Sequence, residues 1–291
     1  MRSLVLISVL LAGCRSASAP AAPVHPVEFI ENRGSDTLVN LALAWAELYQ
    51  QEQPEVRISV SGGGSGVGLT ALINGTVDIA NASRQIKPEE AEQAQAHGIH
   101  PTEFVVARDA IAVIVHPANP IGRMTLQQLS DIYSGQIKNW SEVGGEDRPI
   151  VRLSRETNSG THVYFLETVV RLGQSGNHTL FSTDTLLLPS SEGIVSEVRQ
   201  NPNAIGYDGL GYVPADLKVI AVSRGEGEAY VLPSAATVND RSYPIARDLY
   251  MYTAGEPTGV VNAYLEWILG QEAQQVVRKL GFVPILTGAQ P

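Results

Sequence analysis

The stretch VRISVSGGGSGVGLTALINGTVDIANAS (Val56–Ser83) contains three elements of different periodicity in immediate succession. VRISV is rich in β-branched residues and predicts a strand. GVGLTALING, which begins within a run of glycines, predicts a helix, and VDIANAS predicts a second strand. Because a strand, a helix and a second strand in this order form a parallel unit, the stretch indicates an α/β fold with a mostly parallel sheet covered by helices.

The same alternation continues on both sides of this stretch. Upstream, a predicted strand is followed by an apolar stripe at helical spacing, formed by Leu38, Leu41, Ala42, Trp45, Leu48 and Tyr49. Downstream, the predicted strands EFVVARDAIAVIVHP (103–117) and SYPIARDLYMYT (242–253) are long enough to cross between two lobes. We expect a ligand cleft between two α/β lobes. Lobe 1 would contain residues 27–110 and 229–291, and lobe 2 residues 111–228.

The chain is acidic as a whole, with a formal net charge of −10 at pH 7 over 291 residues. This charge argues against nucleic acid as a partner, since nucleic-acid binding requires basic surface that displaces counterions. It also argues against attraction to anionic lipid. An anionic ligand would therefore have to be held by local donors, because the overall charge does not attract it.

The first 26 residues have the features of an exported lipoprotein. The apolar run Leu4–Leu11 follows a basic residue and is too short to span a bilayer. The sequence LAGC that ends at Cys14 is typical of a lipoprotein cleavage site, so we expect residues 1–13 to be removed and Cys14 to be lipidated. Residues 14–26 are small and Pro-rich, which predicts a flexible tether. Cys14 is the only cysteine, so no disulfide framework is expected.

Four loops share one composition: each follows a predicted strand and is rich in Gly, Ser or Thr. A helix that starts in such a loop presents unpaired N–H groups and a partial positive charge. Glycine lets an anion approach the backbone, and hydroxyls add further donors. One such loop is explained by an ordinary helix cap, but four of them, together with an arginine that could pair with an oxyanion, indicate an anion site. The loops are Gly34–Thr37, Gly62–Gly66, Ala82–Arg84 and Arg155–Thr161.

Motifs for catalysis or metal binding are missing from the sequence. The glycine run lacks the Lys-Ser or Lys-Thr pair of a phosphate-binding P-loop. Neither Ser65 nor Ser159 stands in a Gly-x-Ser-x-Gly nucleophile motif. We expect His162, three residues after Ser159, to be a surface histidine rather than a member of a triad. With no clustered metal ligands either, the sequence predicts neither an enzyme nor a cofactor.

The chain resembles the bacterial periplasmic phosphate-binding proteins, the substrate-binding components of phosphate ABC transporters, and is most similar to their shorter, often lipid-anchored branch. The resemblance covers nearly all of residues 28–285. It is carried by GSDTLVNLALAWAELY, SGGGSGVGLTALINGTVDIANASR, TLQQLSDIYSGQIKNWSEVGG, RETNSGTH, NPNAIGYDGLGYV and YPIARDLYMYT.

The resemblance implies a type II periplasmic binding protein fold, in which two lobes close over phosphate. It implies inorganic phosphate and the transmembrane subunits of an ABC permease as partners. The protein would be a monomer in the periplasm or cell envelope, would bind no nucleic acid, and would contact the membrane only through its lipid anchor. The positions that match the family's ligand contacts are Asp36, Thr37, Ser65, Ser83, Arg155, Ser159, Gly160 and Thr161.

Two positions depart from the family pattern. Ser83 stands where better-known members have an aspartate that accepts the phosphate proton, so Asp36 is either that acceptor or a helix cap that does not touch the ligand. Thr157 stands where they have an aspartate beside the arginine, so we expect Arg155 to depend on the ligand as its main charge partner. Binding of sulfate or arsenate, and a sensor role without transport, stay open as alternatives.

Overall fold

The structure of the protein is a computed structural model that describes residues 27–285. The expected signal peptide (1–13), the lipidation site Cys14 and the tether (14–26) lie outside the described residues. The strands are β1 (Glu28–Gly34), β2 (Val56–Ser61), β3 (Ile79–Ala82), β4 (Thr102–Val115), β5 (Arg123–Thr125), β6 (Val151–Arg155), β7 (Leu186–Leu188), β8 (Ala204–Gly209), β9 (Lys218–Val219), β10 (Ala221–Ser223) and β11 (Ala246–Thr253). The helices are α1 (Asp36–Glu52), α2 (Ser65–Ile73), α3 (Pro88–Ala96), α4 (Leu126–Ser134), α5 (Gly160–Phe165), α6 (Ser191–Gln200), α7 (Ala235–Asn239), α8 (Gly259–Ile268) and α9 (Gln271–Lys279).

One sheet extends through both lobes, in the order β2-β1-β3-β11-β4-β8-β6-β7. The strands β1, β2 and β3 are parallel to one another, as are β6, β7 and β8, whereas β4 and β11 run antiparallel to their neighbours. The two parallel groups therefore belong to separate lobes, and the two antiparallel strands connect them. This arrangement agrees with the α/β architecture expected from the sequence.

The long strand β4 changes partner in its middle. Its residues up to Ala110 pair with β11, and those from Ile111 onward pair with β8. The apolar cores divide at the same place: one lies around Trp45, and another lies around Trp140. Side chains between 231 and 245 pack into the core around Trp140. We therefore propose that lobe 2 begins at Ile111, as expected from the sequence, and extends to about Ala246 instead of ending at 228.

The helices follow the sequence pattern with one exception. The segment GTHVYFLETVVRLG predicts a single α-helix, but α5 is followed by a π-helical turn, Leu166–Val170. A π-turn adds one residue to the helical repeat, and here Phe165, Val169 and Val170 all pack in the core of lobe 2. Within residues 27–285, no helix combines the length and the apolar character needed to cross a bilayer.

Candidate functional site

The four glycine- and hydroxyl-rich loops meet at one place. Each follows the carboxyl end of a strand, namely β1, β2, β3 and β6. The Thr37 and Thr161 hydroxyl oxygens lie 3.0 Å apart, although Thr37 is in the first turn of α1 and Thr161 is in the first turn of α5 in the opposite lobe. The hydroxyl oxygens of Ser65 and Ser83 lie 3.3 Å apart, and the Ser83 N–H donates to the Ser65 hydroxyl. These four side chains are all buried.

Backbone contacts tie the loop before α5 to the loop before α2. The carbonyl of Asn158 accepts from the Gly66 N–H at 3.1 Å, and the Asn158 side chain donates to the Gly63 carbonyl at 2.9 Å. A Cβ at Gly64 would lie 2.7 Å from the Asn158 carbonyl oxygen. The lobes therefore touch through backbone atoms, and glycine is required where they touch.

Gly160 is the residue of α5 that faces the serines of lobe 1. A Cβ at this position would lie 2.5 Å from the Ser83 hydroxyl oxygen and 3.1 Å from the Ser65 Cβ. The Ser159 hydroxyl, next to it, accepts from the N–H groups of Thr161 and His162 as the N-cap of α5. Because a hydroxyl that accepts still has its own proton, Ser159 can also donate to a ligand.

Arg155 is buried between two carboxylates. Its Nη2 donates to Asp36 Oδ2 at 2.7 Å, and its Nη1 donates to the Ser191 hydroxyl at 3.0 Å. Ser191 in turn donates to Asp208 Oδ1, and Asp208 Oδ2 lies 4.0 Å from the guanidinium. The expectation that Arg155 relies on the ligand as its main charge partner is therefore wrong. Asp36 of lobe 1 forms the ion pair with Arg155 that an aspartate at position 157 would otherwise form.

Asp36 uses both carboxylate oxygens in this arrangement. Oδ1 accepts from the Gly63 N–H at 2.9 Å, and Oδ2 accepts from Arg155. The carboxylate thus caps the glycine loop and makes an ion pair across the cleft. Because both oxygens are occupied, these contacts favour the alternative in which Asp36 does not accept a ligand proton, and the acceptor role stays untested.

A sequence model of the PBP superfamily domain matches residues 18–272. The phosphate-binding protein PstS of Pseudomonas aeruginosa PAO1 is 33% identical over 98% of this chain and 94% of its own length. PstS of Bacillus subtilis is 31% identical over 87% of this chain and 79% of its own length. The chain belongs to the PstS family of the PBP superfamily.

Solved structures agree with this assignment. A phosphate ABC transporter substrate-binding protein from Clostridium perfringens, solved with bound phosphate, is 32% identical, and its structure superposes on this PstS-family chain with a TM-score of 0.79. The match covers 89% of this chain and 100% of that protein. The type II periplasmic binding protein fold implied by the sequence is thereby confirmed.

His162 is not the surface residue that the sequence predicts. In this PstS-family chain it is buried, its Nδ1 lies 3.0 Å from the Ser154 hydroxyl, and its ring packs against Phe181. Burial lowers the pKa of its imidazole and so favours the neutral ring. The reason lies in α5: Thr161 faces the cleft, and the next residue necessarily turns toward the lobe 2 core.

Asp208 is a further buried carboxylate at the site. Burial raises its pKa from 3.8 to about 6, and the nearby Arg155 guanidinium offsets only part of this effect. Its Oδ1 accepts from Ser191 and from the Gly209 N–H, but its Oδ2 has no hydrogen-bond partner within the described residues. The sequence contains no motif that draws attention to this residue.

Sequence reasoning also missed Arg247 and Asp109, which lie buried in β11 and β4 beside the threonines. One signal could have revealed them. Both long strands contain Ala-Arg-Asp within otherwise apolar sequence, at 107–109 and at 246–248. Charged residues in the middle of a buried strand require partners of opposite charge. When the two strands pair in antiparallel orientation, the arginine of each triplet is opposite the aspartate of the other.

Positive charge extends from this cluster toward the surface. A cavity of about 690 Å³ adjoins it, with walls that include Arg84, Arg108, Arg224, Arg241 and Arg247. Arg84 is already paired with Glu90 at 2.6 Å. The cavity shows how a chain with a net charge of −10 can present a locally basic environment to an anion. Among residues 27–285, no three His, Cys, Asp or Glu side chains are placed to hold a metal ion.

Proposed function

We propose that this protein captures inorganic phosphate between its two lobes and delivers it to an ABC-type permease. The observation that carries the proposal is the convergence of hydroxyl and N–H donors from four separate loops, together with Arg155, at the contact between the lobes. Membership of the PstS family supports the same ligand.

The donor set suits a dehydrated dianion. Phosphate loses a large hydration energy on burial, so nearly every oxygen lone pair requires a donor. In the structure the hydroxyls of Thr37 and Thr161 bond to each other, as do those of Ser65 and Ser83. Phosphate oxygens are stronger acceptors than hydroxyls, and they would draw these protons while Arg155 supplies charge-assisted bonds.

Closure of the lobes is the step at which this set becomes complete. Thr37, Ser65 and Ser83 belong to lobe 1, whereas Arg155, Ser159 and Thr161 belong to lobe 2. Opening at β4 and β11 would divide the donors into two half-sites, each of which holds the anion weakly. Such hinge motion allows capture and release without any chemical step, so we infer a binding protein rather than an enzyme.

The location follows from the N-terminal sequence. We infer export by the signal peptide, lipidation of Cys14 and a flexible tether over 14–26, which would place a monomeric binding protein outside the cytoplasmic membrane beside its permease. The membrane would then be contacted through the lipid alone. A chain that lacks residues 1–14 is expected to stay in the cytoplasm, because it has neither the export signal nor the lipidation site.

Isothermal calorimetry with phosphate, sulfate and arsenate tests this function on the soluble chain, residues 15–291. Phosphate is expected to bind, and Arg155→Ala is expected to weaken it by about 2–5 kcal/mol, since a buried charge-assisted contact is lost. Arg199→Ala is the matched control, because Arg199 forms a surface pair with Asp216 and is expected to change nothing measurable.

Two outcomes would contradict the proposal. Binding of sulfate without binding of phosphate would overturn the choice of ligand and favour another tetrahedral oxyanion. Phosphate binding that is equal in Arg155→Ala and in the wild type would overturn the site assignment. A sensor without transport would show normal phosphate binding but no loss of phosphate uptake when the chain is deleted from the cell.

A further inference from the structure

The two crossing strands pair their Ala-Arg-Asp triplets directly. In the antiparallel register of β4 and β11, Arg247 is opposite Asp109, and Asp248 is opposite Arg108. Successive side chains of a strand point to opposite faces, so the two ion pairs lie on opposite faces of the ribbon. Their surroundings differ strongly: the Arg247 and Asp109 side chains are 2% and 0% exposed, whereas those of Arg108 and Asp248 are 37% and 40% exposed.

The buried guanidinium reaches both lobes of the proposed site. Arg247 Nη2 donates to the Thr161 hydroxyl at 3.0 Å and lies 3.3 Å from the Thr37 hydroxyl. Nη1 donates to the Ser83 carbonyl at 3.0 Å. All three of these residues belong to the predicted phosphate contacts. The Asp109 carboxylate accepts from Nε and Nη2 and so fixes the guanidinium in this position.

The hydrogen-bond roles of these groups follow from their chemistry. A guanidinium has only donors, so a hydroxyl bonded to Arg247 accepts from it. One Nη2 proton faces Asp109, and the Thr161 and Thr37 hydroxyls share the other at 3.0 and 3.3 Å. Each hydroxyl then keeps one proton to donate. Only one of the two protons can be used in the bond between the threonines, and the other must point away from Arg247. An anion placed against the pair would receive both protons.

We propose that Arg247, held by Asp109, is a positioning residue of the phosphate site that orients the Thr37 and Thr161 hydroxyls as donors and adds a second guanidinium charge near the anion. This inference rests on the proposed function. It also gives the hinge a direct part in binding, because Arg247 belongs to a crossing strand and contacts a ligand residue from each lobe. The Asp109 carboxylate additionally accepts from the Leu210 N–H in lobe 2.

The two members of the buried pair are predicted to behave differently toward phosphate. Arg247→Gln removes the charge and the donors, so phosphate affinity is expected to fall about 10- to 100-fold, as for loss of a hydrogen bond to a charged group. Asp109→Asn keeps an amide oxygen that can accept from the guanidinium and hold it in place, and it removes the competing negative charge. Affinity is therefore expected to stay within about threefold of the wild type or to increase. A purely structural ion pair would lose affinity equally in both variants.

The experiment is calorimetric titration of phosphate into each soluble variant, with a thermal melt of every sample. Arg247→Gln leaves Asp109 buried without its partner, so this variant can fail to fold. The double variant Arg247→Gln with Asp109→Asn replaces both charges by neutral side chains and serves as the main test. That double variant is expected to bind as weakly as Arg247→Gln. Arg199→Gln with Asp216→Asn, which neutralises an exposed ion pair outside the walls of the cavity, is the matched control, and its affinity is expected to be unchanged.

A double-mutant cycle with Thr161→Val tests the positioning role itself. Removal of the Thr161 hydroxyl is expected to lower affinity in the wild type but to have less effect when Arg247 is already Gln. Additive losses would overturn the positioning role. So would an Asp109→Asn affinity as low as that of Arg247→Gln, or a neutral double variant within about threefold of the wild type. Failure of the wild type to bind phosphate would overturn the proposed function together with this inference.

Discussion

Gly160→Ala is the substitution that tests closure of the lobes most directly. Gly160 begins α5 in lobe 2 and faces Ser65 and Ser83 of lobe 1. An added Cβ would lie 2.5 Å from the Ser83 hydroxyl oxygen and 3.1 Å from the Ser65 Cβ, with the Ser65 hydroxyl oxygen closer still. The backbone of Gly160 does not adopt a positive φ, so the new methyl group conflicts with the opposite lobe and not with its own helix.

The magnitude follows from these distances. Ordinary contacts of a Cβ begin near 3.4 Å, so the Ser65 and Ser83 hydroxyls must turn away from the site, or the loops of the two lobes must separate by up to about 1 Å, to admit the methyl group. Overpacking of this kind costs about 1–3 kcal/mol, which raises the Kd for phosphate about 5- to 150-fold. Alanine is favoured over glycine in a helix by up to about 1 kcal/mol. The stability of lobe 2 should therefore not decrease.

The assay combines calorimetric Kd values with small-angle X-ray scattering at saturating phosphate. The variant is expected to bind more weakly and to keep a larger radius of gyration than the wild type when phosphate is bound. Gly176→Ala is the control, because a Cβ there meets no atom within 4 Å. A Gly160→Ala protein with wild-type affinity and wild-type compaction would refute the proposed contact between the lobes.

Two further predictions concern the carboxylates on either side of Arg155. Because both Asp36 oxygens are bonded to Gly63 and Arg155, Asp36→Asn is expected to leave the phosphate-to-sulfate affinity ratio within about twofold; a large gain in sulfate affinity would restore its role as proton acceptor. Burial raises the pKa of Asp208 from 3.8 to about 6, so the folded state binds this proton more tightly than the unfolded state, and stability is lost as the pH rises through 6. Asp208→Asn is expected to remove roughly 2 kcal/mol of that loss between pH 4 and pH 7.5. If the free energies of unfolding in urea depend on pH equally in the variant and the wild type, this prediction is wrong.

Features that show a local spacing or composition were predictable from the sequence. The glycine- and hydroxyl-rich loops, the stripe of α1 and the two long strands all have a spacing or a composition that follows from backbone geometry. The four loops that contain Thr37, Ser65, Ser83, Gly160 and Thr161 were therefore recognisable as one set, whereas the individual positions within them were taken from the resemblance to the family. Their contacts span up to 124 positions of the chain, and no local pattern states which loops will touch.

The errors came from side chains whose surroundings are set by distant segments. His162 is polar and lies on a short helix, yet the lobe 2 core covers it through Phe181. The charge partner of Arg155 was expected at 157, two residues away, but Asp36 of the other lobe provides it. In both cases the local sequence describes one element, whereas the environment of the side chain is supplied by an element from elsewhere in the chain.

The order of residues along this chain specifies the α/β class, the crossing strands and four loops capable of donating to an anion, since helix and strand periods and loop composition are local properties. The pairing of donors across the cleft depends on how the lobes pack. The burial of Asp208 and the ion pair between Arg247 and Asp109 also depend on this packing. Electrostatic energies depend on distances and burial, which are set only when distant strands come into register. The sequence by itself therefore predicted a set of donors suited to an anion, whereas the balance of charges around these donors depends on the tertiary structure.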